Sequence, residues 1–407
     1  MILYFCNMAK LINLKTFKEF FNSSSGGGVV LLICVALSLI IANTEMAWGF
    51  EHFLEQKVGF HNEAVHLEFS VINWINDGLM AVFFLLVGLE IKREIVEGEL
   101  SSLRHASLPV LAAIGGVLVP ATIYSLFNAG TPTVHGWGIP MATDIAFALG
   151  IVSLLGDKVP TGLKIFLAAL AIVDDLMAIL VIAIFYTSNL NLEYLMYAGG
   201  IMIILIIFNR LRLKNLLFYL IPGAIIWYLI HHSGIHATIA GVLTALTLPT
   251  TPDDSESPLE KLEHALTKPV NFIIMPIFAI ANTNITFVDG MVEGLASNLG
   301  LGIVLGLFLG KPIGIFVMSF LSVKLKIAEL PKNTTWTHVV GLGMLGGIGF
   351  TMSIFIALLS FKTSVDLQTE AKFAVLVASV LSGVCGFTWL SLYNKKKKKK
   401  KEALAEA

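Results

Sequence analysis

The chain has 407 residues, of which 56% are hydrophobic and only 14% charged, with a mean hydropathy of +0.82. A soluble domain carries about 25% charged residues, so this composition excludes a soluble globular protein, and a net charge of −1 gives no ground for nucleic-acid binding. Apolar blocks of about twenty residues fit helices that cross a bilayer core, and they lack the short alternating pattern of a membrane barrel.

Cys6, Cys34 and Cys385 are scattered and form no CxxC pair, so no disulfide framework is read. The first segment, residues 1–26, has no compact apolar core followed by a small-residue cleavage site, and does not read as a clear signal peptide. Phe17, Phe20 and Phe21 beside Lys15 and Lys18 suit either a short helix on the membrane surface or a polar lead-in. The predicted fold is an all-α polytopic membrane protein of about twelve spans. They lie near 27–44, 71–91, 107–128, 137–156, 163–187, 194–209, 214–231, 234–249, 270–288, 297–321, 336–360 and 371–393. This divides the chain into an N-terminal segment 1–26, a twelve-helix membrane domain 27–393 and a lysine-rich tail 394–407, with both end segments expected to be cytoplasmic.

Lysine and arginine placement tests the count. Of 27 such residues, 23 fall in one set of connections and at both ends of the chain. The other side has Lys57, Lys362 and Lys372, and Lys311 lies within a span. That asymmetry predicts cytoplasmic termini, with the run Lys395–Lys401 as an anchor at anionic headgroups. The long outer connection, 45–70, contains "AVHLEFSV" (64–71), whose alternation suits a short strand.

Asp77, Glu90, Asp144, Asp174, Asp175 and Lys311 fall within spans or at their inner ends. Each carboxylate at the centre of a span costs about 2.5–3.5 kcal/mol, so the set must face itself or a water-filled cavity. The adjacent pair in "AIVDDLMAIL" (171–180) is the strongest signal. Helix glue needs an acid and a base, not two acids. Consecutive residues point about 100° apart on a helix, so one aspartate can meet a partner while the other faces a cavity. A cation arriving at buried carboxylates favours their ionised form and displaces protons. Oxygen ligands suit hard cations such as Na⁺. Lys311, in "LFLGKPIGIF" (307–316), can neutralise Asp174.

Two spans carry helix breakers. "GWGIPMATDIAFALG" (136–150) places Pro140 just before Thr143 and Asp144. "GLGMLGGIGFTMSIF" (341–355) has five glycines before Thr351 and Ser353. Paired interruptions in two halves of a chain point to a mid-membrane transport site between inverted repeats, here spans 3–5 and 10–12 with spans 4 and 11 broken and crossing. Asp144 would offset the positive N-terminal ends of the half-helices, and Lys311 the negative C-terminal ends.

"PMATDIAFALG" (140–150), "LKIFLAALAIVDDL" (163–176), "GLEIKREI" (88–95), "SGIHATIAGV" (233–242), "GKPIGI" (310–315) and "GIGFTMSIFI" (347–356) closely resemble the NhaA-type sodium/proton antiporters of bacterial inner membranes. The resemblance runs from about residue 12 to 393. The broken-helix pattern was defined in part on that family and is no independent support. The resemblance implies a secondary active, electrogenic exchanger that expels Na⁺ or Li⁺ against protons, needs no cofactor, is not an enzyme and is regulated by pH. It implies Asp175 as the main cation ligand, Asp174 as its neighbour in cation and proton binding, paired with Lys311, and Thr143 as a further ligand beside Asp144. It implies a pH-response set of Glu90, Arg93, Glu94, Glu263, His236 and Asp77. It also implies a homodimer joined by an outer hairpin, which residues 45–70 fit loosely.

The chain departs from the family pattern at Met177, where glycine is expected after "DDL", and in its lysine tail. The alternative kept open is a sodium-coupled symporter of an organic substrate with related broken helices. An intramembrane aspartyl protease is disfavoured by the missing GxGD and YD motifs, and a channel by the lack of a pore-lining ring.

Overall fold

The computed structural model describes residues 26–62, 66–156, 159–187, 190–250 and 257–405. The expected surface helix within residues 1–26 and Lys158 therefore lie outside the described residues. The elements in chain order are α1 (Gly26–Ala42), α2 (Ala47–Glu55), β1 (Lys57–Val58), β2 (Phe69–Ser70), α3 (Met80–Val96) and α4 (Leu103–Asn128). Then follow α5 (Ile145–Leu154), α6 (Thr161–Phe185), α7 (Leu192–Arg210), α8 (Leu217–Ser233), α9 (Ile239–Thr247) and α10 (Pro258–Pro269). The last are α11 (Met275–Asn282), α12 (Asn298–Leu305), α13 (Lys311–Lys324), α14 (Trp336–Gly346), α15 (Phe350–Ser360) and α16 (Val365–Ala405).

The protein is an all-α polytopic membrane fold. Among the described residues, six continuous helical runs are long and apolar enough to cross a bilayer: Leu103–Asn128, Thr161–Phe185, Leu192–Arg210, Pro258–Asn282, Asn298–Lys324 and Val365–Lys395. Three bent pairs bring the number to nine. Two of these are the interrupted spans, in which the 3₁₀ segment Pro132–Met141 meets α5 at 41° and α14 meets α15 at 45°. Each stands between two long helices, α4 and α6 in one half and Asn298–Lys324 and α16 in the other. This is the arrangement expected for repeats 3–5 and 10–12.

The third bent pair is α1 with α2, turned by 108°. Here the outer connection begins with a helix that the sequence reading left as loop. Hairpin pairing follows, but the expected strand over 64–71 shrinks. Val58 pairs with Phe69 and Lys57 with Ser70, His61 bridges His66, and helix resumes at Val71. Ser70 ends the strand because its hydroxyl accepts from the Asn73 amide at 3.3 Å and caps the next helix.

The remaining predicted spans are shorter or more charged. Helix runs from Val71 through α3, α8 has 17 residues, and α9 has only nine. The start expected at 234 is a turn instead, entered through Gly234 at φ 87°, a left-handed conformation that glycine adopts without strain. Span nine also starts about twelve residues earlier than expected. Ser257 and Glu260 form a reciprocal capping box, with the Ser257 amide donating to Glu260 at 2.8 Å and Pro258 next in line. Glu263 and Lys268 therefore ride on a spanning helix rather than in a loop. The last helix continues through the lysine run to Ala405.

Two features set the geometry of the centre. α4 and α13 cross with backbones in contact: a Cβ on Gly115 would stand 2.2 Å from the Gly314 carbonyl oxygen, and one on Gly314 would stand 2.0 Å from that of Gly115. Small residues allow such approach in membranes, and here they bring Lys311, one turn from Gly314, to the middle of the bundle. Among the described residues three π-helical turns also occur, at Trp74–Leu79, Val270–Ile274 and Gly306–Gly310. Such turns concentrate at functional sites; the first contains Asp77 and the third directly precedes Lys311.

Candidate functional site

The two interruptions are stitched to each other. The Asp144 amide donates to the Ile348 carbonyl at 2.7 Å, and the Ser353 hydroxyl donates to the Ile139 carbonyl at 2.7 Å. Asp144 caps both half-helices beyond the breaks. Its Oδ1 accepts from the Phe147 amide at 3.0 Å, at the start of α5. Its Oδ2 accepts from the Thr351 amide at 3.2 Å and from the Thr351 hydroxyl, at the start of α15. A single carboxylate thus meets two helix N-termini, where unpaired amides and the helix dipole favour negative charge. The Phe350 amide finds Ser379 Oγ of α16 at 3.1 Å.

Asp174 and Asp175 lie midway along α6, both buried. Their environments differ. Lys311 Nζ donates to Asp174 Oδ2 at 2.5 Å, and the Thr143 hydroxyl lies 2.7 Å from the same oxygen. That hydroxyl is also 2.8 Å from the Gly346 carbonyl at the end of α14. Lys311 therefore meets Asp174, and Thr143 meets the carbonyl end of the broken helix, a task that the sequence reading gave to Lys311. Asp175 Oδ1 has no hydrogen-bond partner among the described residues. Asp175 lines a cavity of about 380 Å³ together with Glu90, Asp144, Lys268, Asn271 and Thr351. Glu90 and Lys268 stand on the lysine-rich side of the bundle, so this cavity runs from that side to Asp175.

The six residues of the expected pH-response set separate into two groups. At the lysine-rich end, Arg93 pairs with Glu263 at 3.0 Å and Glu94 at 3.2 Å, and Glu90 lines the cavity above them. At the opposite end, Asp77 is flanked by His236 at 3.5 Å and His231 at 3.7 Å. These three line a second and larger cavity of about 1010 Å³, with Lys362, Asp366 and Lys372.

Sequence reasoning did not single out His231, or the capping roles of Thr351 and Ser353. The two hydroxyls directly follow the glycine run, which was a usable signal. His231 was harder to find, because only the turn at 234–238 brings it level with His236.

The Na⁺/H⁺ antiporter 1 family profile matches residues 18–390. The chain belongs to the Na⁺/H⁺ antiporter family. Among its relatives are the Na(+)/H(+) antiporter NhaA 2 of Flavobacterium johnsoniae, 70% identical and covering 97% of each chain, and NhaA 1 of the same organism, 50% identical over 92% of this chain and 96% of its own. The Na(+)/H(+) antiporter NhaA of Dechloromonas aromatica is 50% identical over 93% of this chain and 96% of its own. The alternative of an organic-substrate symporter finds no support among them. In this antiporter chain Met177, the departure beside the aspartates, is half-buried and packs against the main core.

Proposed function

We propose that this family member is a secondary active exchanger in which Na⁺ or Li⁺ and protons contend for Asp174 and Asp175. The observation that carries the reading is Asp175 itself. It is a buried carboxylate with an unpartnered oxygen, lining a cavity that leads to the lysine-rich side. A charge in that position is expensive and is tolerable when it is alternately protonated or bound to a cation.

Among the described residues no three acidic, histidine or cysteine side chains converge on one point. A cation would thus be held by Asp175 with water and with oxygens released from other bonds, as suits cargo that must leave again. Lys311 compensates Asp174 while no cation is bound. A cation entering at Asp175 competes with that ammonium for the Asp174 carboxylate, and Thr143 Oγ1 stands ready beside it. Asp144 stays committed to the two helix ends and steadies the crossing. Two acids taking up protons against one cation would move net charge, which makes the cycle electrogenic. Arg93, Glu94, Glu263 and Glu90 at one mouth, and Asp77 with His236 at the other, would regulate access with pH.

On this reading the protein sits in the bacterial inner membrane with cytoplasmic termini, acts as a transporter without a cofactor, and pairs with a second copy through the outer connection. The test is dequenching of a pH dye in everted vesicles upon Na⁺, Li⁺ or K⁺ addition. Na⁺ and Li⁺ should collapse the imposed proton gradient and K⁺ should not. A fully inserted Asp175→Asn variant that exchanged as fast as the parent would refute the assignment.

A further inference from the structure

The exchange reading leaves the outer hairpin's own chemistry unused. His61 and His66 face each other across it in an antiparallel bridge. One step nearer the bundle, the Leu67 amide donates to the Phe60 carbonyl at 3.1 Å. In an antiparallel ladder the pair next to such a bond is of the non-hydrogen-bonded kind, in which opposite side chains stand closest. The two imidazole centroids are accordingly 4.1 Å apart, and both residues are exposed.

The backbone around this pair is fixed. Gly59, at φ 133°, lets the strands approach so closely that a Cβ there would stand 1.9 Å from the Leu67 carbonyl oxygen, a conformation open to glycine. The Trp74 indole donates to the Val58 carbonyl at 2.9 Å, and the His66 amide reaches the Tyr228 hydroxyl of α8 at 3.4 Å. Phe69 meets His231 edge-on at 4.7 Å. The hairpin is thus pinned to the bundle, and a ligand arriving at the two rings would not first have to order the chain. Ring packing alone gives no reason for two histidines here. An edge-to-face pair is worth about 0.5–1.5 kcal/mol beyond its area, and apolar rings supply it with more buried surface, as Phe69 does with Trp74.

We propose that His61 and His66 form a binding site for a divalent transition-metal ion of the Zn²⁺ or Cu²⁺ class on the outer face of the protein. Imidazole nitrogen suits these ions, at about 2.0–2.1 Å from zinc. Two rings already in contact need only side-chain rotation to share one ion. Hard ions such as Na⁺ take oxygen ligands instead, so the site is chemically separate from the acidic pair in the membrane. Among the described residues no third histidine, cysteine or carboxylate converges with them. Water therefore completes the shell, and the ion is exchangeable, unlike one in a closed four-ligand structural site. Glu68, two residues beyond His66 and exposed like it, adds negative charge nearby. The site also touches the outer vestibule indirectly, because Phe69 of the same strand packs on His231, which stands 3.7 Å from Asp77. An ion bridging the strands stiffens the hairpin beside that cavity.

The test uses the full chain, purified in detergent without a polyhistidine tag. Zn²⁺ is titrated by calorimetry, and Cu²⁺ is followed by electron paramagnetic resonance. The parent should bind one ion per chain at this site, and its copper spectrum should show two ligating nitrogens. His61→Ala and His66→Ala should each weaken binding about tenfold or more, equivalent to about 1.4 kcal/mol, while metal-free thermal unfolding stays that of the parent. His52→Ala removes another exposed histidine of the same outer connection and should leave the affinity unchanged. Parental affinity in both hairpin variants would overturn the proposal. So would a parent copper spectrum without nitrogen ligands, which requires no substitution and decides the matter should a variant not fold. A count of one ion per two chains would place the ion between copies and equally overturn the single-hairpin site. None of these measurements needs transport, so their failure and that of the exchange reading are separate events.

Discussion

The outer cavity is more than twice the volume of the inner one and carries more charged side chains, yet of these two only the inner one reaches Asp175. On the outer wall Asp77 stands between two histidines and Glu370 against the Ser297 hydroxyl. The inner wall ends on a carboxylate oxygen with no hydrogen-bond partner among the described residues. On the proposed reading, size and charge do not mark the transport site. A buried charge beside a route to water does, because its desolvation must be offset by something that arrives and departs.

Removing the cavity-facing carboxylate at the middle of α6 should have the largest effect. Asp175→Asn should abolish Na⁺-driven exchange in vesicles, while outer-cavity Asp77→Asn should leave measurable exchange; equal losses would erase the distinction between the two cavities. Next in size is the crossing that brings Lys311 inward. Gly314→Val places side-chain atoms where the Gly115 carbonyl already sits. Backbone cannot rotate aside like a side chain, so a loss of about 3 kcal/mol or more is expected, read as a collapse of folded yield in detergent. Lys311→Ala should follow. It leaves Asp174 buried without its ammonium, at a cost of about 3–5 kcal/mol, and thermal melting should show that loss partly recovered in Lys311→Ala with Asp174→Asn. Smallest is the inner mouth. Arg93→Gln removes two partly exposed pairs, each worth about 0.2–1 kcal/mol. It should move the pH profile of exchange while the maximal rate stays near that of the parent.

Much of this architecture was legible because membrane chemistry leaves strong marks. The twenty-residue apolar blocks, the buried charges and the two glycine- or proline-rich interruptions all follow from the cost of placing polar groups in lipid. The meeting of Lys311 with Asp174 followed from the same cost. Less legible were features set by backbone detail. The early start of α10 was written in Ser257, Pro258 and Glu260, a capping signature lost among the charged residues of what read as a loop. The π turns before Lys311 and around Asp77 have no compositional sign, and α2 is short enough to pass for connection. Within the site, the pairing of Thr143 with the Gly346 carbonyl depends on how two breaks cross, which no local pattern encodes.

The central claim is that one pair of carboxylates serves both ions. Calorimetric titration of Na⁺ into purified protein, repeated in buffers of different ionisation enthalpy, counts protons released per cation bound. Below the pH at which the acids lose their protons, each Na⁺ should release at least one proton, and apparent affinity should fall on the order of tenfold per pH unit by mass action. Asp175→Asn should bind no Na⁺ at the site. Sodium binding with no proton release across that acidic range would contradict the account.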